Sequence, residues 1–264
     1  MTTERVRARV FGEVAHEYDR IRPDYPPGLI DDVLAYARLD GAPALEVGAG
    51  TGKATVAFAG RDVAVTAVEP DEAMAAVLTR RLAGHPNVVV EVTPFEDYAP
   101  RQPFGLLFSA QAWHWTDPAV RWQRAASALA PGGALALFWN GDRPADRTVL
   151  AAILSAHHTH APDIDTAAEV APESTPEAEL GAYWPRTDLD RLPQFGDFSE
   201  RLYQRERTLS ATDYVSYLST KSAYRMLTEQ ARTDLFQAIT DSVGTHVTLI
   251  VETALFLARR QQCP

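Results

Sequence analysis

The chain has 264 residues, 46% of them hydrophobic, which is enough for one large globular domain or for a domain with an insertion. Its formal net charge of −10 argues against nucleic acid as the main partner, because proteins that bind nucleic acid neutralise phosphates with lysine and arginine. The first residues are charged, no apolar run is long enough to span a bilayer, and Cys263 is the single cysteine, so we expect a cytoplasmic protein with no membrane partner.

The amino-terminal part is predicted to be helical, with a proline-rich break at residues 18–27. The break carries Tyr18, Arg22 and Tyr25, and two interpretations of it remain open. It could fold over a bound ligand, with Arg22 pairing with a carboxylate of that ligand, or it could be a helix start stabilised by surface tyrosines. One helical face is formed by residues at helical spacing, namely Val6, Val10, Val14 and Tyr18.

From Ala44 onward, short apolar runs alternate with segments of helix length. This alternation predicts a doubly wound, mostly parallel α/β sheet that binds ligands at the carboxyl ends of its strands. Two further strands follow an acidic, proline-rich stretch, so we expect a seven-stranded, Rossmann-like sheet. The predicted strands cover residues 44–48, 63–69, 88–93, 104–110, 134–139, 198–208 and 246–257.

The same pattern divides the chain into four segments. Residues 1–40 are expected to form an amino-terminal helical cover, and residues 41–140 the ligand-binding core. Residues 141–196 begin as a helix and continue as an acidic insertion, for which we expect a role as substrate cover. Residues 197–264 would complete the sheet. Helices are predicted at residues 52–59, 71–83, 118–129, 144–160, 211–218 and 228–243. Asp71 is expected to cap the second of these helices.

A glycine-rich turn, Gly48 to Gly52, joins the first strand to its helix. Its spacing does not fit a Walker-type phosphate loop, which needs an earlier glycine and a hydroxyl residue after the Gly-Lys pair. It also departs from the dinucleotide fingerprint, because Lys53 stands at the third glycine position. Glu46 precedes the turn and would repel a pyrophosphate, so a cationic ligand without phosphates suits it better. A tight turn without a ligand is the remaining alternative.

Two residues beyond this turn are candidates for nucleoside binding. Glu69 ends the second strand, where its carboxylate can accept hydrogen bonds from ribose hydroxyls, or it can simply cap the next helix. Met74, one turn into that helix, could cover a face of the base or belong to the core.

The stretch from Ser109 to Trp115 follows the fourth strand and contains two indoles and an imidazole. Such a group offers apolar surface for a substrate ring, with His114 as a proton acceptor. The alternative is that Trp113 and Trp115 pack in the core while His114 bonds to a loop. Gln111 could contact the ligand or stabilise the turn.

Three histidines near residue 160 raise the question of a metal site. Their spacing requires the helix to continue to residue 160 and beyond, and Pro162 argues against that. No carboxylate motif supports a divalent metal, so we expect none. The histidines are His157, His158 and His160.

Six motifs between residues 18 and 140 match a known family in order. They are Tyr-Asp-x-x-Arg-Pro-x-Tyr-Pro, Glu-Val-Gly-Ala-Gly-Thr-Gly-Lys, Val-Glu-Pro, Phe-Glu-Asp, Gln-Ala-Trp-His-Trp and Leu-Ala-Pro-Gly-Gly-Ala-Leu-Ala-Leu-Phe-Trp-Asn. The set resembles the class I S-adenosylmethionine-dependent methyltransferases, in particular the bacterial branch called methyltransferase type 11. This resemblance implies S-adenosylmethionine as cofactor and says little about the acceptor.

From the residues and the resemblance together, we assign three groups of site residues. His114 is the catalytic candidate. Substrate contacts are expected from Tyr25, Trp113, Trp115 and Trp139. Cofactor contacts are expected from Tyr18, Arg22, Glu46, Gly48, Ala49, Gly50, Thr51, Glu69, Pro70, Met74, Phe95, Glu96 and Gln111.

The expected function is transfer of a methyl group from S-adenosylmethionine to an oxygen or nitrogen of a small, hydrophobic molecule, either a secondary metabolite or a small acid. One alternative is an enzyme of this fold that binds the cofactor but catalyses a non-methylating step such as a cyclisation. Another is a regulator that binds the cofactor without turnover.

Overall fold

In this computed structural model, residues 15–170 and 185–261 are described. Val6, Val10 and Val14 of the predicted helical face lie outside the described residues, as do residues 171–184 of the acidic insertion and Cys263. No helix in the described part is long and apolar enough to cross a membrane.

The centre of the fold is a seven-stranded sheet with the strand order β3-β2-β1-β4-β5-β7-β6. The pairings β1–β2, β2–β3, β1–β4 and β4–β5 are parallel, which confirms the doubly wound α/β prediction. The order reverses between β1 and β4, the place where such sheets bind ligands. The strands are β1 (Ala44–Val47), β2 (Val65–Val68), β3 (Val88–Glu91), β4 (Phe104–Ala110), β5 (Leu129–Pro144), β6 (Phe195–Ser210) and β7 (His246–Arg260).

Helices connect the strands, and several begin at a capping side chain. Asp71 accepts from the backbone N–H groups of Ala73 and Met74, as the sequence predicts. The described α-helices are α1 (Ala15–Ile21), α2 (Pro27–Ala37), α3 (Lys53–Ala59), α4 (Glu72–Arg81), α5 (Arg121–Ala128), α6 (Arg147–His160), α7 (Thr166–Glu169), α8 (Arg186–Leu189), α9 (Ala211–Ser219), α10 (Ser222–Arg225) and α11 (Glu229–Ser242).

The fifth strand is longer than the sequence predicts, because the Pro131-Gly132-Gly133 run does not delay its start. Leu129 already pairs with Phe104, whereas Ala134 pairs with Leu106, so the intervening residues form an irregularity in the strand. Gly132 has a φ of 77°, a conformation that favours glycine.

The chain divides into two compact units, each with its own hydrophobic core. The sheet unit comprises the described residues 24–139, 185–203 and 253–261, and aliphatic and aromatic clusters form its core. The helical unit comprises residues 15–23, 140–170 and 204–252, with a core that includes Ile153, Leu218 and Leu235. The three long strands, β5, β6 and β7, contribute residues to both units.

Candidate functional site

The glycine loop after β1 consists of residues 48–52, and three of them have left-handed backbone. Gly48, Gly50 and Gly52 have φ values of 71°, 59° and 88°. A Cβ on Gly48 would lie 2.3 Å from the Cβ of Ala112, and a Cβ on Gly52 would lie 2.4 Å from a methyl carbon of Leu78. A Cβ on Gly50 would meet nothing within 4 Å. The loop therefore packs tightly at both ends and faces open space in the middle, as a cradle for a ligand does.

Glu46 lies on β1, two residues before this loop, and is almost fully buried, with 1% exposure. Its Oε2 accepts a hydrogen bond from the Thr55 hydroxyl at 2.5 Å. Burial raises the pKa of Glu46 to about 8, although the Thr55 hydrogen bond opposes the shift. Burial thus favours the protonated form of Glu46, and a bound cation would favour its charged form.

Glu69, at the end of β2, connects the glycine loop to α4. Its Oε2 accepts from the N–H of Gly50 at 2.7 Å, and its Oε1 accepts from the N–H of Asp71 at 2.9 Å. Burial raises its pKa to about 7, against the effect of these two backbone hydrogen bonds. Each carboxylate oxygen has a second lone pair, so ribose binding by Glu69 stays a prediction compatible with these contacts.

The loop also contains a buried polar atom that the protein does not satisfy. Thr51 is 1% exposed, and its Oγ1 has no hydrogen-bond partner among the described residues. Ala49 beside it is buried in the core. An orphaned hydroxyl next to the open face of Gly50 fits a site that a polar ligand completes.

Lys53 has a structural role at the position where a dinucleotide site would have a glycine. Its Nζ lies 2.9 Å from Oδ1 of Asp24, and its side chain is 10% exposed. The pair connects the start of α3 to the segment preceding α2. This contact gives a reason for the departure from the dinucleotide fingerprint.

The remaining residues predicted to contact the cofactor differ in burial. Met74 is buried and Pro70 is exposed. Phe95 is buried with its ring 5.8 Å from that of Trp113, and Oε1 of Glu96 accepts from the N–H of Asp117 at 2.5 Å. Phe95 and Glu96 therefore join the loop after β3 to the turn after β4, and their contact with the cofactor stays a prediction.

The aromatic stretch after β4 divides into a buried and an open part. Trp113 is fully buried between Phe95 and Trp122, which is the arrangement that the core-packing alternative predicts. His114 is exposed and its ring lies 4.6 Å from that of Trp115. The indole Nε1 of Trp139, at the end of the sheet unit's part of β5, donates to Nδ1 of His114 at 3.2 Å. The structure thus brings together His114, Trp115 and Trp139, which we call the aromatic wall.

Tyr25 and Gln111 contact Phe138, the neighbour of Trp139 on β5. The Tyr25 ring meets that of Phe138 edge-on at 4.8 Å, and the Gln111 N–H donates to the Phe138 carbonyl at 3.0 Å. Gln111 has a φ of 60°, which is unusual for a residue other than glycine. Phe138 and Trp139 belong to different core clusters, as alternation along a strand requires, so the Tyr25 ring packs on the opposite face of β5 from the aromatic wall.

Tyr18 and Arg22 belong to the helical unit. The Arg22 guanidinium lies 5.0 Å from the centre of the Tyr18 ring and 5.2 Å from that of Tyr217. Its Nε donates to Oγ1 of Thr220 at 2.8 Å, and its Nη2 donates to the Thr220 carbonyl at 2.9 Å. The predicted pairing of Arg22 with a ligand carboxylate stays a prediction.

His157, in α6, bonds within the helical unit. Its Nδ1 lies 2.8 Å from the Ile153 carbonyl and its Nε2 lies 2.9 Å from the Tyr224 hydroxyl. Burial lowers the pKa of His157, so the ring is neutral at physiological pH. Within the described ranges no group of three or more His, Cys, Asp or Glu residues could hold a metal ion.

Sequence reasoning missed two partners in the sheet unit. Thr55 binds Glu46, and Asp24 binds Lys53. In the sequence, a threonine in the first turn of α3 is only a weak indication that it binds Glu46. The second pair joins residues 29 positions apart and leaves no local pattern.

Comparison with known proteins gives a family model that matches part of the sheet unit. Residues 44–133, which contain the glycine loop, Glu69 and the aromatic stretch, match the model of a family described as methyltransferase domain. Within the sheet unit, residues 44–133 thus resemble methyltransferase domains, in agreement with the family and the cofactor expected from the motifs.

A relative and two solved structures are similar to this chain. An uncharacterized methyltransferase of Mycobacterium tuberculosis is 39% identical over 135 residues, 49% of this chain and 51% of that protein. The chain thus spans about half the length of this curated relative. A protein of Anaeromyxobacter dehalogenans, provisionally named a type II methyltransferase, aligns over 92% of this chain and 99% of its own with a TM-score of 0.61 and 24% identity.

The second solved structure contains the demethylated cofactor. It is a methyltransferase of Thiobacillus denitrificans in complex with S-adenosyl-L-homocysteine, with a TM-score of 0.51, 18% identity, and coverage of 95% of this chain and 97% of its own. At this identity the likeness shows the fold alone.

Proposed function

We propose that this methyltransferase transfers a methyl group from S-adenosylmethionine to an oxygen or nitrogen of a small, hydrophobic acceptor molecule. When bound, S-adenosylmethionine supplies an electrophilic methyl group on a sulfonium. The observation that carries the proposal is the cradle at Gly50, where left-handed backbone faces open space beside buried carboxyl groups.

On the cofactor side, the residues present fit a cationic nucleoside ligand. Glu69 holds the Gly50 amide in place and keeps lone pairs for ribose hydroxyls. The Thr51 hydroxyl, buried and unsatisfied by the described residues, provides a further polar contact. Both Glu46 and Glu69 become better cation partners once they lose their protons, which is what a nearby positive charge promotes.

On the acceptor side, the aromatic wall provides an apolar surface. Trp115 and Trp139 are half-buried and His114 is exposed, so all three keep surface for an acceptor. The turn that carries His114 follows β4, one of the two strands between which the order of the sheet reverses. Holding the acceptor in line with the methyl carbon is the main catalytic effect that we expect from such a wall.

The test is mass spectrometry of purified protein incubated with S-adenosylmethionine and a panel of small acids, phenols and amines. The expected result is an acceptor heavier by one methylene, formed in equal amount to S-adenosylhomocysteine. If the cofactor binds and is consumed without any methylated product, the non-methylating alternative is correct. If it binds and is never consumed, the protein is a regulator without turnover.

A further inference from the structure

The hydrogen bond between Trp139 and His114 fixes the roles of the two imidazole nitrogens. An indole N–H can only donate, so Nδ1 of His114 must accept at the observed 3.2 Å. A neutral imidazole has one nitrogen with a lone pair and one with a proton. In the neutral ring the proton of His114 therefore resides on Nε2.

This tautomer makes His114 a poor general base. Its basic nitrogen is Nδ1, and protonation there would set an imidazole N–H against the indole N–H of Trp139 and break their hydrogen bond. Nε2 in contrast carries a hydrogen that can be donated. The other two members of the aromatic wall are Trp115 and Trp139. Neither has a basic nitrogen, so neither can act as the general base in place of His114.

A wall of this kind suits an acceptor that needs no deprotonation. Carboxylic acids are ionised at neutral pH, whereas phenols, alcohols and ammonium groups would first have to lose a proton. One carboxylate oxygen can accept a hydrogen bond from Nε2–H while the other forms the new bond to the methyl carbon. The carbon–sulfur bond breaks with its electron pair left on sulfur, so charge balances and no proton moves.

We propose that Trp139 is a positioning residue that holds His114 as an Nε2–H donor, and that the acceptor is a small organic carboxylate, which becomes a methyl ester. This inference rests on the proposed function and narrows its acceptor class. It also explains why β5 carries an indole at residue 139, because an indole N–H can donate but cannot accept.

The tautomer can be read without any turnover, by nitrogen-15 NMR of the histidine side chains in the full chain. Assignment uses His114→Gln, in which one set of signals disappears. The expected result near neutral pH is an Nε2–H tautomer for His114. Trp139→Phe, which keeps a ring but removes the donor, should shift the signals toward a mixture of tautomers, while Trp115→Phe should leave the tautomer unchanged. A proton on Nδ1 in the wild-type protein would overturn the proposal.

The acceptor class is tested with the panel of acids, phenols and amines. Small carboxylates should be esterified, while phenols and amines should stay unmethylated. Trp139→Phe should lower kcat/KM about threefold to tenfold, the effect of one neutral hydrogen bond. His114→Gln, whose amide N–H can replace Nε2–H, should retain more activity than His114→Ala.

Two results separate this inference from the proposed function. Methylation of phenols or amines with carboxylates inert would overturn the inference and leave methyl transfer established. Absence of methylation for every acceptor class would overturn the proposed function and the carboxylate assignment with it, while the NMR result would still decide the role of Trp139.

Discussion

The glycine loop of the sheet unit and a buried polar cluster of the helical unit differ in how the chain builds them. The loop and its two main partners occupy residues 46–55 and Glu69, all within one β-α-β stretch. The other region, which we call the Tyr217 cluster, draws one residue or two from each of three distant segments. Its members are Arg22, Asp142, Tyr217 and Lys221.

Within the Tyr217 cluster every charge has a partner. The Tyr217 hydroxyl donates to Asp142, and Nζ of Lys221 lies 3.5 Å from Asp142 and donates to the Glu169 carbonyl at 2.6 Å. Nζ of Lys221 and the Arg22 guanidinium both lie within about 5 Å of the Tyr217 ring centre. The glycine loop in contrast keeps an unsatisfied Thr51 hydroxyl and an open cradle. A complete network stabilises a fold, and an incomplete one is typical of a ligand site.

The largest expected effect concerns the complete network. Lys221→Met removes a cation from a pair whose side chains are 11% and 6% exposed, and leaves Asp142 buried without it. We expect the free energy of unfolding to fall by about 3–5 kcal/mol, as for other broken buried pairs. Urea denaturation measures it.

Arg20→Met is the matched control in the same unit, since its pair with Asp213 is 53% and 38% exposed and is screened by water. It should leave stability nearly unchanged. Equal losses in both variants would show that the Tyr217 cluster has no special role.

Gly48→Ala tests the tight end of the loop. The new methyl would meet Ala112 at 2.3 Å on left-handed backbone. We expect a loss of about 2–5 kcal/mol in unfolding free energy, from backbone strain and overpacking together. Gly41 has a φ of 87°, and a Cβ added there would meet nothing within 4 Å. Gly41→Ala should therefore show the effect of backbone strain alone. A Gly48→Ala protein as stable as Gly41→Ala would contradict the described packing.

Glu69→Ala tests the polar side of the loop. It removes the acceptor for the Gly50 amide and, by our proposal, for ribose hydroxyls. Calorimetry should show S-adenosylhomocysteine binding weaker by about 2–4 kcal/mol. Glu72→Ala, an exposed acid in the first turn of α4, should bind normally. Unchanged affinity in Glu69→Ala would remove this residue from the site.

A further expected effect is a pH dependence of the cofactor-free protein. Because the pKa of Glu46 is raised from 4.5 to about 8, the folded state keeps a proton that the unfolded chain has released between these values. The stabilisation is fully present below that range and is lost as pH rises through it. Glu46→Gln should therefore show a flatter decline of Tm with rising pH than the wild type. An identical slope in both proteins would mean that Glu46 is ionised throughout.

The predictable part of the fold is the part whose signals are local. The prediction for β4, residues 104–110, agrees with the structure, and Asp71 caps α4 as expected, because a buried apolar run and a capping side chain act on their own neighbours. The predicted start of β5, at residue 134, was wrong, because a Pro-Gly-Gly run can either stop a helix or form an irregularity within a strand. Pairing with Phe104 decides between the two, and that contact is not local.

The same distinction applies to the candidate site. The glycine loop is visible in the sequence because its conformation depends on three residues at fixed spacing. The Trp139–His114 hydrogen bond is not visible, since it depends on how β4 and β5 pair. The Tyr217 cluster depends on the packing of whole helices, and of its members only Arg22 stood out in the sequence.

Calorimetric titration of S-adenosylhomocysteine and NAD into the wild-type protein, Gly50→Ala and Gly41→Ala tests the central claim most directly. The account predicts that S-adenosylhomocysteine binds the wild type and Gly41→Ala alike. It should bind Gly50→Ala at least about tenfold more weakly, because the new methyl projects into the open cradle. NAD should bind poorly to all three proteins. Tight NAD binding without S-adenosylhomocysteine binding, or equal S-adenosylhomocysteine affinity in Gly50→Ala, would contradict the assignment of the glycine loop as the cofactor site.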